Sequence, residues 1–308
     1  MAVADGWQWH GPPNWPPAPS GWRPPPGWVP PPEWPPAPVG WSFWVPTATV
    51  PARSASPALE PLPIVMPDGV PPPRRTIVIE TWFVMVAFLA APLASAVVVF
   101  AQHYQGDTGI SRFPTIVSDP LANMVLGIIA YAPLVALVPL ALLLLTRTGQ
   151  PPATIGLGRL RLKTDIVPAF GLVALAFLGE YALLIPFAPL LAHNSKLVNP
   201  VPVGHVPGYY VIWGLSASAI TAIAEETFVN AYLITRLQQL GWSPGWALAL
   251  SLVLRTSYHV YYGVAFLLTV PFGYFVTRSF QKHRRLNRAI AAHFLYDAIL
   301  FIIAIFVA

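Results

Sequence analysis

Past the first apolar stretch and away from the ends of the others, seven ionisable side chains stand in otherwise apolar sequence: Glu180, Glu225, Glu226, Arg255, His259, His293 and Asp297. A charge at the centre of a membrane helix costs about 2.5–3.5 kcal/mol on insertion scales, so such groups face a cavity or one another and carry function. Six of the seven fall between residues 225 and 297. Arg255 and His259 are four apart, as are His293 and Asp297, so each pair shares a helix face. Glu225 and Glu226 are adjacent and diverge by about 100° around the axis, so one at most points straight at a given centre. Carboxylates and imidazoles from three helices can hold a water, take its proton and stabilise a developing oxyanion.

Each residue also has a plainer reading. Glu226 paired with Arg255 would neutralise two buried charges at the cost of desolvation. His259 alone on an apolar helix reads as an interhelical hydrogen bond. Asp297 reads as an orienting partner that fixes the tautomer of His293. Glu180 has no helical partner and reads as structural or gating. Taken together, acids and imidazoles on three helices exceed what packing needs.

The elements that must position these groups are membrane spans. Charged residues make up 9% of the chain and hydrophobic ones 55%, against about a quarter charged in soluble domains. Apolar runs long enough to cross a hydrocarbon core of about 30 Å are read near 80–102, 121–146, 165–191, 209–238, 244–261, 263–280 and 288–307. The expected fold is all-α: a polytopic transmembrane bundle of about seven helices. A soluble enzyme is excluded. The absence of cysteine removes disulfides, thiolate metal sites and a cysteine nucleophile.

Three basic clusters follow or precede alternate spans: Arg74 and Arg75; Arg147, Arg159, Arg161 and Lys163; and Arg278, Lys282, Arg284, Arg285 and Arg288. Arg236 falls on the same side, and the opposite loops hold only Arg112 and Lys196. Basic residues stay on the cytoplasmic face, so the expectation is a multi-pass protein of the cell membrane with a cytoplasmic N-terminus and an external C-terminus. The net charge of +5 therefore implies no nucleic-acid partner.

Ahead of the spans, residues 1–73 hold 23 of the 38 prolines and eight of the twelve tryptophans. A unit recurs as NWPPAPSGW at 14–22 and EWPPAPVGW at 33–41. Proline fixes φ and removes donors, so this tail is expected to be disordered, extended and without a packed core, with Ala52 to Arg75 as linker. It reads as a tether, as a ligand for a proline-binding partner, or as tryptophans dipping into the bilayer interface. The expected division is 1–76 tail and linker, 77–205 N-terminal helices, and 206–308 the region carrying the site.

The motifs of that last region read EETFVNAYL (225–233), LRTSYHVYYG (254–263) and AHFLYDAI (292–299). Glu-Glu, then His, then His-x-x-x-Asp/Asn on successive helices resembles the CPBP intramembrane protease family. That family includes the type II CAAX prenyl endopeptidases and the bacteriocin-processing and self-immunity (Abi) group. The resemblance covers about residues 209–305 and implies roles. Glu225 activates water beside His259, Glu226 positions Glu225 or the substrate, and His293 with Asp297 supports the oxyanion. Two positions depart from the family pattern. The usual EExxxR has Asn230 in place of arginine, and Arg255 replaces the aromatic residue four before the histidine. A cation that has moved from 230 to 255 as the partner of Glu226 accounts for both.

The expected cofactor set is empty, because the Glu/His pattern lacks the HExxH spacing of a helical zinc site. The alternative is a divalent metal on Glu225, His259 and His293. The expected function is an intramembrane endopeptidase acting, with a Glu/His-activated water, on a membrane-associated peptide or protein. The alternatives are a non-catalytic scaffold or immunity protein recruiting a partner through the tail, and a small transporter. An Ala-, Pro- and Arg-rich, Lys-poor composition points to a bacterial source. One geometric conflict accompanies this reading. On the spans drawn, His259 lies about 22 Å from the inner end of its helix and His293 about 8 Å from that of its own. They meet only if the sixth span breaks, at Gly263, Pro271 or Gly273, or the last helix starts early, within 282–287.

Overall fold

A computed structural model describes residues 7–12, 15–16, 22–25, 27–38, 41–46, 73–104, 118–193 and 210–306. The chain divides into two compact units, 1–57 and 58–308. The linker up to residue 72, Arg112 and Lys196 lie outside the described residues.

In the first unit, β1 (Trp7–Trp9) pairs antiparallel with β2 (Trp44–Pro46), Trp9 opposite Trp44. Between them the amides of Trp15, Trp28, Trp34 and Trp41 each donate to the carbonyl of a proline three residues earlier, all at 3.0 Å. Proline cannot donate, so each tryptophan closes a turn that its prolines have already bent. The Trp9 ring meets those of Trp22, Trp28, Phe43 and Trp44, and Trp15 meets Trp28 and Trp34. The buried Trp15 indole donates to the Pro35 carbonyl at 2.6 Å. In these turns closely spaced indoles supply the apolar surface that proline withholds.

The second unit is a helix bundle. It begins with α1 (Arg74–Tyr104), α2 (Pro120–Ala130), α3 (Ala132–Arg147) and α4 (Val167–His193). Asp119 caps α2 by accepting from the Ala122 amide, and a single residue, Tyr131, separates α2 from α3. A continuous stretch follows: α5 (Tyr210–Glu225), a π-helical turn (Glu226–Tyr232) and α6 (Leu233–Gln239). The chain ends with α7 (Pro244–Ser257), a 3₁₀ segment (Val260–Thr269), α8 (Val270–His283) and α9 (Leu286–Phe306). Among the described residues, four stretches are long and apolar enough to cross a membrane: Arg74–Ala101, Pro120–Arg147, Leu162–Pro189 and Leu286–Ile303. Phe83 and Val86 on α1, and Phe170, Leu178 and Ile185 on α4, turn outward, as lipid-facing residues do.

The spans expected at 244–261 and 263–280 are shorter than drawn. α7 and α8 have 14 residues each, about 21 Å of helix, against a hydrocarbon core of about 30 Å. Gly263, at φ 57 and ψ −139, interrupts the chain between them in a conformation side-chain-bearing residues avoid. Gln281 near the end of α8 donates to the Pro244 carbonyl at the start of α7, 2.8 Å away, so the two form an antiparallel hairpin.

The basic loop residues do more than mark a side. Arg236, wholly buried, reaches Glu80, Gln150 and Gln239 at 3.2–3.3 Å. Arg284 donates to the Thr154 carbonyl, Thr235 and Gln238. Arg285 grips Asp165 through two nitrogens, at 2.5 and 2.8 Å, a bidentate pair that raises the guanidinium above its ordinary range. The Leu286 amide donates to the carbonyl of Gly156, whose φ of 75° and contact with Arg284 leave no room for a side chain. These bonds pin the first residue of α9 to the 150–166 loop and so set the level of His293.

Candidate active site

Glu225 ends α5 and Glu226 opens the π turn, whose seven residues are all buried. A π turn holds more residues per revolution than an α turn and occurs most often at functional sites. Here it carries Glu226 and Asn230 together. Asn230 Nδ2 donates to Glu226 Oε2 at 3.0 Å. The other oxygen, Oε1, takes His293 Nδ1 from α9 and Arg255 Nη2 from α7, each at 2.8 Å. The Arg255 approach is off the N–H direction, so Nη2 makes an ion pair with Glu226 without a linear hydrogen bond. Glu226 is thus enclosed, 0% exposed, with two hydrogen-bond donors and one ion-pair partner on its two oxygens.

Glu225 is held differently. Its Oε2 accepts the Tyr258 hydroxyl at 2.6 Å and faces Arg255 Nη1 at 3.4 Å. Its Oε1 accepts no hydrogen bond from a described residue, and the side chain keeps 12% of its exposure. Arg255 is itself 2% exposed and lies against α8, where Gly273 leaves its Cδ only 3.0 Å from the place of a Cβ. The Phe272 ring covers the other members: its centroid is 5.8 Å from the guanidinium carbon and 5.0 Å from the His293 ring.

On α9, His293 Nε2 lies 3.4 Å from Asp297 Oδ2. Both ring nitrogens of His293 therefore face carboxylates, and Asp297 fixes the ring from the side away from Glu226. His259 sits two residues past the end of α7, with Nδ1 2.9 Å from the Arg255 carbonyl oxygen. A carbonyl only accepts, so Nδ1 carries a proton, and in the neutral imidazole Nε2 presents its lone pair. Its ring rests among Tyr258, Tyr261 and Tyr262, at centroid distances of 4.7–6.1 Å.

The structure therefore gathers Glu225, Glu226, Asn230, Arg255, His293 and Asp297 into one polar network across three helices. His259 joins it through the Arg255 backbone and the Tyr258 ring, without a hydrogen bond to a carboxylate. Both devices anticipated are present, the break at Gly263 and a start of α9 at Leu286, yet the partners of His259 and His293 are different groups and the two rings are not hydrogen-bonded to each other. Arg255 is about 16 Å along α7 and His293 about 10 Å along α9. Glu226 spans that difference, hydrogen-bonded to His293 and ion-paired with Arg255. Arg255 contacts Glu226, as the moved-cation reading requires, and also Glu225. Glu180 is not isolated: it accepts the Tyr296 hydroxyl across α4 and α9, with Tyr296 packed on Phe177 and Phe272.

Sequence reasoning missed Tyr258, Phe272 and Tyr296. A signal existed for Tyr258, three residues after Arg255 and adjacent to His259. Among the described residues no group of three His, Asp or Glu side chains is arranged to hold a metal ion. The alternative set of Glu225, His259 and His293 is not gathered, and Arg255 already stands on both glutamates.

A polytopic helical bundle with a buried Glu-Glu/Arg/His/Asp cluster defines the class to which the chain belongs. Residues 207–299 match the family described as type II CAAX prenyl endopeptidase Rce1-like. The stretch from α5 to the His293–Asp297 turn is therefore similar to that family, and the apolar helices make the chain a multi-pass membrane protein. No curated protein and no solved structure matches the chain.

Proposed function

We propose that the protein is an intramembrane endopeptidase that hydrolyses a peptide bond of a membrane-associated peptide or protein with a water activated by Glu225. The observation that carries this reading is the contrast between the two glutamates. Glu226 is saturated by Arg255, His293 and Asn230. Glu225 has one oxygen pinned, the other accepts no hydrogen bond from a described residue, and the side chain is 12% exposed. A general base needs an unoccupied lone pair within reach of its water.

In this mechanism a water donates to Glu225 Oε1, with the lone pair of His259 Nε2 available to orient it. The water oxygen bonds to the scissile carbonyl carbon as its proton passes to Glu225. His293, held at Nδ1 by Glu226, supports the carbonyl oxygen as it becomes negative by turning its Nε2–H onto that oxygen from the 3.4 Å contact with Asp297. The C–N bond then breaks, and Glu225 returns the proton to the leaving amine. Glu226 and Arg255 are positioning groups that fix the charge pattern around the site. The apolar setting favours a substrate that arrives from the bilayer. Basic residues favour the cytoplasmic face, which supports an orientation with the N-terminus and the Arg284–Arg288 loop in the cytoplasm.

The test compares cellular peptide termini in cells carrying wild type, Glu225→Ala or His259→Ala at matched expression. The expected result is a set of termini present with wild type and lost in both variants. Identical termini in all three, with a phenotype that follows deletion of 1–57, would assign the protein to a scaffold role.

A further inference from the structure

Tyr258 lies in the second motif, directly before His259, with no role assigned to it there, yet it is the residue that touches both groups assigned to the water. It follows the last residue of α7 with φ −84 and ψ 5, a non-helical bend that turns the side chain back toward α5. Its hydroxyl donates to Glu225 Oε2 at 2.6 Å, and its ring meets that of His259 at 4.7 Å. The side chain is buried, and Arg255, three residues earlier on the same face, approaches the same Glu225 oxygen at 3.4 Å.

We infer that Tyr258 is a positioning residue for Glu225, fixing its rotamer and engaging Oε2 so that Oε1 is the oxygen presented to water. The geometry separates this role from simple filling. A glutamate held only by Arg255 at 3.4 Å can rotate and offer either oxygen to the guanidinium, since an off-centre ion pair is weakly directional. A hydroxyl at 2.6 Å to an ionised carboxylate is short, directional and about twice as strong as a neutral hydrogen bond. It removes one lone-pair direction from Oε2 and leaves Oε1 alone. The same ring bounds His259, whose own proton is committed to the Arg255 carbonyl, so both candidate water partners take their orientation from one side chain. The inference rests on the endopeptidase reading for its effect on rate. The bond itself can be tested without that reading.

The experiment uses full-length protein in liposomes and the isosteric Tyr258→Phe, which keeps the ring contact with His259 and removes only the hydroxyl. The carboxylate stretching bands of Glu225, identified by infrared difference against Glu225→Gln, are compared in wild type and Tyr258→Phe. The expected result is a shifted Glu225 band with an unchanged melting temperature; an unshifted band overturns the inference. Turnover is then measured on a quenched fluorescent peptide that reproduces a terminus generated by the wild type. Tyr258→Phe is expected to lower kcat about 10- to 100-fold with KM within about twofold, the loss of one hydrogen bond to a charged group. Unchanged kcat, or a loss confined to KM, overturns it. If Glu225→Ala leaves cellular termini unaltered, the endopeptidase reading falls, while the infrared band still reports whether Tyr258 holds Glu225.

Discussion

Replacing Arg255 by leucine is expected to destabilise the bundle by about 3 kcal/mol, and most of that cost is expected to vanish when Glu226 is already glutamine. The guanidinium is 2% exposed and sits 2.8 Å from a carboxylate that is 0% exposed. Stripping one partner from a buried ion pair costs about 3–5 kcal/mol, because the remaining charge is left uncompensated. The lower end applies here, since Asn230 and His293 continue to donate to Glu226. Glu226→Gln is expected to cost about 2 kcal/mol, because Arg255 retains Glu225 at 3.4 Å. With both charges removed, neither desolvation cost remains, so the double variant is expected to lie about 1.5–3 kcal/mol above the sum of the singles. The assay is equilibrium unfolding of the four proteins in detergent micelles by titration with a denaturing detergent. Salt is expected to change the coupling little, because the pair is shielded from solvent. A coupling energy below about 0.5 kcal/mol would refute the pairing and leave the Asn230 and Arg255 substitutions as unrelated events.

Three further outcomes follow from the same geometry. Asn230→Arg alone crowds a second cation into a 0% exposed position and is expected to cost more than about 2 kcal/mol. Adding Arg255→Leu to it should recover part of that loss in the same unfolding assay. Gly263→Ala forces a side chain into φ 57, ψ −139; about 1–3 kcal/mol of strain is expected, read as a lower melting temperature together with reduced turnover. Glu80→Gln leaves the buried Arg236 with only neutral acceptors and is expected to cost about 2–3 kcal/mol, measured by thermal unfolding.

The parts of the site that were legible in the sequence are those where chemistry conflicts with solvent. Glu225, Glu226, Arg255, His293 and Asp297 stand out because an ionisable group in an apolar helix has few reasons to be there. Arg255 could even be paired with Glu226, because two departures, one in each of two motifs, had a common explanation. The π turn was not legible: ETFVNAY contains no glycine or proline and reads as ordinary helix. What widens that turn is the set of partners brought by α7 and α9. The short reach of α7 and α8 was half legible, through Gly263, but nothing in Ser257–Tyr258 marks a helix end. Arg236, Arg284 and Arg285 were read only as orientation charges, since their acceptors are backbone carbonyls and residues up to about 150 positions away. In the N-terminal unit, tryptophans at 9, 15, 22, 28, 34 and 41 recur every six or seven residues. That period belongs to neither helix nor strand, and the ring cluster it builds was masked by the prolines between.

The central claim is that Glu225 takes the proton of the attacking water, and its most direct test is single-turnover cleavage by the purified, liposome-reconstituted protein against Glu225→Gln. Glutamine preserves the shape of the side chain and an acceptor for Tyr258 while removing the base. The account predicts an intact fold and a rate lower by about 10²–10⁴-fold, the range for a lost general base. A folded Glu225→Gln protein that cleaves within about tenfold of wild type would contradict it.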